Sequence, residues 1–103
     1  MAKKRADLSK VLREILGSNH VYFQPPNGTK IEYPCIIYKL EKLDASNADD
    51  MKYIKNKRYT LNVIDYNPDS ETYEKILDAF DYASLDRMAV NNNLNHWYMT
   101  IYW

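Results

Sequence analysis

The sequence has 103 residues, which is enough for one domain with one hydrophobic core. Its 14 basic and 14 acidic residues balance, so the chain lacks the basic excess typical of nucleic-acid-binding proteins. The single cysteine, Cys35, cannot form an internal disulfide bond, and no uninterrupted apolar run predicts an export signal or a membrane span. The composition therefore predicts one folded domain over residues 1–103.

The first predicted elements are a helix and a short strand. Gly17 follows the helical pattern at the position where a C-terminal cap is expected. The residues VYFQ at 21–24 favour a strand, and PPNG at 25–28 ends it with a turn. The apolar residues that share one face of the helix are Leu8, Val11, Leu12, Ile15 and Leu16.

Two longer strands are predicted in the middle of the chain. Alternation in YPCIIYKLEKL, residues 33–43, and again in RYTLNVIDY, residues 58–66, predicts an antiparallel pair. The stretch 44–57 between them is polar and weakly periodic, so we expect a long and mobile hairpin loop.

A second helix is predicted within NPDSETYEKILDAF, residues 67–80. Asn67 or Asp69 can cap its N-terminus, and Pro68 suits a first turn. Its buried stripe is predicted to comprise Tyr73, Ile76, Leu77 and Phe80.

The sequence ends in a predicted hairpin. SLDRMAV at 84–90 and LNHWYMTIYW at 94–103 are joined by asparagines 91–93, which tolerate the left-handed conformations of tight turns. Aromatic residues occur on both faces of the last strand, so we expect one face to contact the helices and the other to contact another molecule, such as a second subunit. The element order predicts an α+β fold, a mainly antiparallel sheet of four to five strands with two helices on one face.

No residue pattern predicts catalysis, a cofactor or a metal. The two histidines, His20 and His96, lack neighbours at a zinc-binding spacing. Cys35 lies inside an apolar strand, where a buried and unreactive thiol is expected. The acidic residues of the stretch 44–57 lack the spacing of a calcium loop.

Two clusters of opposite charge and the outer tyrosines form the candidate interface. The clusters have two interpretations: they are two solvated surfaces, or the basic hairpin of one subunit contacts the acidic helix of the next. The candidate interface residues in the basic cluster are Lys52, Lys55, Lys57 and Arg58, and those in the acidic cluster are Asp69, Glu71, Glu74 and Asp78. The candidate tyrosines are Tyr53, Tyr98 and Tyr102.

The blocks YPCIIY, KRYTLNVIDYNPDSETYEKIL and LNHWYMTIYW, in this order, resemble the tail terminator (tail-completion) proteins of long-tailed bacteriophages, the lambda-type family. The resemblance implies a structural virion protein, not an enzyme, assembled in the host cytoplasm. It implies a ring, expected to be a hexamer, that caps the tail tube and stops its polymerisation. The implied partners are other copies of the chain, the tail tube protein and the head-tail connector protein. Genomic DNA would pass through the ring without specific binding.

Two alternatives remain open from the sequence. Another phage neck or connector adaptor protein would share the interface-rich composition. A small RNA-cleaving toxin could place an active site at His96 and Tyr98, although the neutral net charge argues against a phosphate-binding cleft.

Overall fold

The computed structural model of this chain describes residues 4–46 and 53–103, with side chains described for residues 4–41 and 57–103. Two helices and five strands follow one another in these ranges. In chain order they are α1 (Arg5–Leu16), β1 (Val21–Phe23), β2 (Cys35–Ser46), β3 (Tyr53–Asp65), α2 (Thr72–Ala79), β4 (Ala83–Asn91) and β5 (Leu94–Tyr102).

The five strands form one sheet in the order β1-β2-β3-β5-β4. β1 runs parallel to β2, whereas the other three neighbouring pairs are antiparallel. The predicted α+β class with a mainly antiparallel sheet is therefore confirmed.

The hydrophobic core lies between the two helices and one face of the sheet, here called the helix side. Strict alternation along the three central strands places one row of each strand in the core, as the sequence pattern predicts. The buried core residues are Leu8 and Leu12 of α1, Ile36 and Tyr38 of β2, Tyr59, Leu61 and Val63 of β3, Ile76 of α2, Phe80, and Trp97, Met99 and Ile101 of β5.

The first helix ends as predicted. Gly17 adopts the left-handed conformation with φ 81°, and its N–H donates a hydrogen bond to the carbonyl oxygen of Arg13 at 2.8 Å. The hydroxyls of Ser9 and Tyr38 are hydrogen-bonded inside the core. This contact links α1 to β2 and leaves neither buried hydroxyl without a partner.

The second helix begins later than predicted. α2 starts at Thr72, and its N-cap residue, Glu71, makes no capping hydrogen bond with its side chain. Asn67 accepts the N–H of Asp69 through Oδ1 at 3.0 Å, so Asn67 stabilises a local turn instead of the helix end. Short polar side chains often stabilise such turns, which is why the predicted cap at Asn67 or Asp69 is wrong.

Where the structure describes the predicted loop over residues 44–57, the chain is strand. β2 continues to Ser46 and β3 begins at Tyr53, with Leu43 opposite Lys57 and Asp44 opposite Asn56. The loop prediction is therefore wrong for residues 44–46 and 53–57, while residues 47–52 lie outside the described part of the chain. Backbone pairing in a hairpin needs no alternating apolar pattern, so hydropathy did not reveal it. We call residues 42–46 and 53–56 the arm.

The predicted terminal hairpin is confirmed, together with its asparagine turn. Asn92 and Asn93 have φ values of 52° and 65°, the signs that a two-residue type I′ turn requires. After β5, Trp103 exchanges two backbone hydrogen bonds with Lys57. Its indole Nε1 donates to the carbonyl oxygen of Lys4 at 3.0 Å, and its ring packs edge-on against Phe80.

The buried thiol of Cys35 gives the first prediction. Burial raises the pKa of Cys35 from 9.0 to about 12. As the pH rises through this window, the unfolded chain releases the thiol proton while the folded chain retains it, so the free energy of unfolding should fall. Denaturant titrations from pH 8 to 11 should show a steeper loss for wild type than for Cys35→Ala, which removes the ionisable group. Equal pH slopes in the two proteins would contradict this assignment.

Candidate interface surfaces

The face of the sheet opposite the core, here called the open face, carries polar and aromatic side chains. In register, Arg58 lies opposite Tyr102, and Asn62 lies opposite Tyr98. Several buried polar atoms on this face have no hydrogen-bond partner among the described residues. They are Nε of Arg58, Oγ1 of Thr60, Oδ1 of Asn62 and Nδ1 of His96. These atoms are covered by neighbouring side chains, so each lowers the stability of the folded chain and none is exposed to a partner at the surface.

Tyr98 lies at the centre of a stack on the open face. The guanidinium carbon of Arg87 is 4.3 Å from the centroid of the Tyr98 ring, a cation–π contact. The ring of His96 lies 5.9 Å from that of Tyr98 at an interplanar angle of 11°. These contacts hold Tyr98 in a fixed position on β5. The same ring contact gives His96 a packing role beside Tyr98.

A bulge in β4 lies next to this stack. The register between β4 and β5 shifts between Leu85 and Arg87. Asp86, the extra residue, accepts hydrogen bonds from Ser84 at 2.8 Å and from Thr100 at 2.5 Å. Arg87 lies opposite Tyr98 in the regular register that runs from the Asn92–Asn93 turn, and the shift then places Leu85 opposite Met99. Sequence reasoning did not single out Arg87 as a neighbour of Tyr98, although a two-residue turn sets this pair; the bulge itself leaves no signal in the pattern of SLDRMAV.

The predicted basic cluster does not form one surface among the described residues. Lys57 lies opposite Trp103 and belongs by alternation to the helix side, whereas Arg58 lies opposite Tyr102 on the open face. The Arg58 guanidinium forms an ion pair with Glu41 at 2.9 Å. Lys52 and the side chains of Tyr53 and Lys55 lie outside the described part.

The predicted acidic cluster does share a surface. Glu71, Glu74 and Asp78 are exposed and recur at the spacing of one helical face, at the N-cap and within α2. Asp69 is exposed in the preceding turn. The Tyr73 hydroxyl donates to Glu74 at 3.1 Å, and this bond to a carboxylate raises the pKa of Tyr73. The acidic helix lies on the helix side, whereas Arg58, Tyr98 and Tyr102 are together on the open face.

Large apolar side chains are also exposed at the margins of the domain. They are Tyr66, Tyr82, Met88 and Val90, with exposed fractions of 62%, 69%, 62% and 74%. Met88 and Val90 are two residues apart in β4 and therefore project to the same face. Tyrosine, methionine and valine side chains exposed in this way are common where a surface contacts a partner.

Comparison with models of known protein families and with curated protein sequences finds no match. Within residues 4–46 and 53–103, no three histidine, cysteine, aspartate or glutamate residues come together in a way that could hold a metal ion. Neither helix in those ranges has the length and apolar character needed to cross a bilayer.

The contact between Arg87 and Tyr98 can be tested by a double-mutant cycle. Arg87→Ala and Tyr98→Ala, measured singly and together by urea unfolding, should give a coupling energy of about 0.5–1 kcal/mol, typical of an exposed cation–π pair. As a control, Arg87→Ala combined with Tyr102→Ala should be additive, since Tyr102 lies four residues farther along β5 and opposite Arg58. A coupling energy of zero for the first pair would show that the contact does not stabilise the fold.

Proposed function

We propose that this protein is a structural component of a phage tail. It forms a homo-oligomeric ring that caps the tail tube, ends tube polymerisation and provides the surface for head-tail joining. The resemblance of the sequence blocks to tail terminator proteins supports the proposal. The structural observation that carries it is the presence of two unlike surfaces on opposite sides of one domain: the acidic helix α2 on the helix side and the aromatic and polar open face.

A ring requires unlike surfaces. In head-to-tail assembly, each subunit uses one patch toward its left neighbour and a different patch toward its right neighbour, so a self-complementary patch would give only a dimer. Exposed ion pairs contribute only about 0–1 kcal/mol each. In this proposal the apolar and backbone contacts therefore supply most of the affinity, and the acidic face of α2 sets the orientation.

Fewer basic residues can take part in the proposed charge contact than the sequence indicates. Lys57 and Arg58 project to opposite faces of the sheet, so the two side chains cannot both face the same neighbouring helix. Among the described basic residues of the cluster, Lys57 is the one on the side that carries α2, and we assign it to the contact with the acidic face of the neighbour.

The mass of the purified protein tests the proposed function. Sedimentation over a range of concentrations and salt levels should show a species of about six times the 12.2 kDa monomer mass, and negative-stain images should show rings. A monomer under every condition would contradict the ring. Ribonuclease activity that is lost in His96→Ala would instead favour the toxin alternative, and a ring that fails to shorten or cap tail tubes would favour an adaptor.

Charge reversal on α2 tests the orientation of the contact. Glu71→Lys with Glu74→Lys should weaken assembly at low salt, since both side chains are exposed on one face of the helix region. Adding Lys57→Glu to this variant should partly restore assembly. Lys39→Glu, an exposed residue that alternates onto the open face, is the matched control and should not restore it. Restoration by both lysine changes alike would show a nonspecific charge effect.

A further inference from the structure

The sheet has two different open edges. β4 is the last strand on one side. On the other side β1 pairs with β2 over only three residues, and Gln24 then ends the pairing. Its N–H donates to the carbonyl oxygen of Tyr38 at 2.9 Å, and its side-chain Oε1 accepts the N–H of Leu40 at 3.1 Å. In the described structure, β2 beyond Leu40 has a neighbouring strand only on the β3 side.

The register shows which backbone groups of β4 face outward. Asn91 and Leu94 flank the two-residue turn, so they form a hydrogen-bonded pair. Because such pairs alternate in an antiparallel ladder, Ala89 and Arg87 also bond to β5, while Met88 and Val90 direct their N–H and C=O groups to the open edge. The side chains of these two residues are 62% and 74% exposed.

Only part of the β4 edge is protected against pairing. The bulge at Asp86 and the charge beside it disrupt the middle of the strand, which is a common protection of edge strands. Residues 87–91 that follow are regular and contain no proline. An edge of this kind is a template for another strand.

The arm provides a second incomplete ladder. Lys57 bonds to Trp103, so by alternation Arg58 and Asn56 bond to β2. Between the register shifts at Leu40/Lys42 and Asp44/Ala45, the backbone groups of Leu43 therefore face away from β3. β5 extends along β3 only as far as the pair between Lys57 and Trp103. Past that pair, the two described strands of the arm pair only with each other. An isolated two-stranded ribbon is marginally stable in water, so the arm would gain from a third strand.

We propose that the β4 edge of one copy, residues 87–91, pairs with the β2 edge of a second copy, beyond Leu40. The inference rests on the proposed ring and specifies its contact. β2 and β5 are both antiparallel to β3, and β4 is antiparallel to β5, so β2 and β4 run in opposite directions. Copies related by a rotation around a ring therefore bring these edges together as an antiparallel pair, the stronger arrangement.

A second copy of this chain fits the β4 edge because each copy supplies both halves of the contact. The two edges are unlike and lie on opposite sides of the same sheet, which is the head-to-tail arrangement that gives a ring when the rotation between copies closes. Pairing would join the sheets with their helix layers on the same side. α2 packs beside β4, so the helix-side residue Lys57 of the neighbour would lie on the same side as the acidic face of α2.

Val90→Pro is the decisive variant. Proline removes the outward N–H of Val90 and leaves the bonds from β4 to β5 in place, as tolerated on edge strands. Val90→Thr is the matched control, because it keeps both the β-branched shape and the N–H. The dissociation constant of the assembly, from sedimentation equilibrium, should rise about tenfold or more for Val90→Pro and change less than about threefold for Val90→Thr. Thermal unfolding of the diluted protein tests whether both variants fold.

Amide exchange in the wild-type protein provides an independent measurement. The amides of Met88 and Val90 should exchange rapidly in the diluted monomer and slowly in the assembly, while that of Ala89 is protected in both. If Val90→Pro assembles as wild type does, or if Met88 and Val90 stay unprotected in the assembly, the edge contact is wrong although the ring stands. A wild-type chain that never assembles overturns both the contact and the proposed ring. Should Val90→Pro fail to fold, the exchange result alone decides.

Discussion

The register between β3 and β5 is the constraint on which the rest of the structure depends. Leu61 lies opposite Met99 and Val63 opposite Trp97, and this pairing turns both buried rows toward the helices. A shift by one residue would exchange core and surface along the whole strand, so burial of these side chains specifies the register strongly. The helices then have one place to pack, and Tyr73 of α2 stacks on Trp97 with ring centroids 5.8 Å apart.

The same register determines what the molecule can present to a partner. Once the odd-numbered residues of β3 face the core, Arg58, Thr60 and Asn62 must lie on the open face, and Lys57 must lie on the helix side. Residues adjacent in the sequence are thereby assigned to different surfaces. Charged residues that are consecutive in a strand therefore do not form one charged surface. Glu71, Glu74 and Asp78 do form one, because the helical repeat places their side chains on the same face.

The sequence was sufficient for the parts of the fold that side-chain periodicity controls. Alternation predicted the buried rows of the central strands, and Gly17 predicted the end of α1. Side-chain periodicity did not predict the parts of the fold in which backbone hydrogen bonding determines the conformation. The strands of the arm carry a polar sequence, the turn around Asn67 competes with a helix cap, and the bulge at Asp86 places Leu85 opposite Met99. The candidate site was predicted in part for the same reason: acidic residues on a helix were grouped correctly, and basic residues on a strand were not.

If the proposed contact runs through backbone edges, the amino-acid composition would not reveal which residues a partner touches. Backbone N–H and C=O groups are the same for nearly every residue, so an edge leaves little trace in the sequence apart from the absence of proline and of protecting charges. Edge pairing gives affinity with little dependence on salt, whereas ion pairs at the rim depend strongly on salt and contribute mainly to orientation. In a ring that uses both kinds of contact, pairing at the β4 edge would supply most of the affinity. The acidic face of α2 would determine the orientation of the neighbouring subunit.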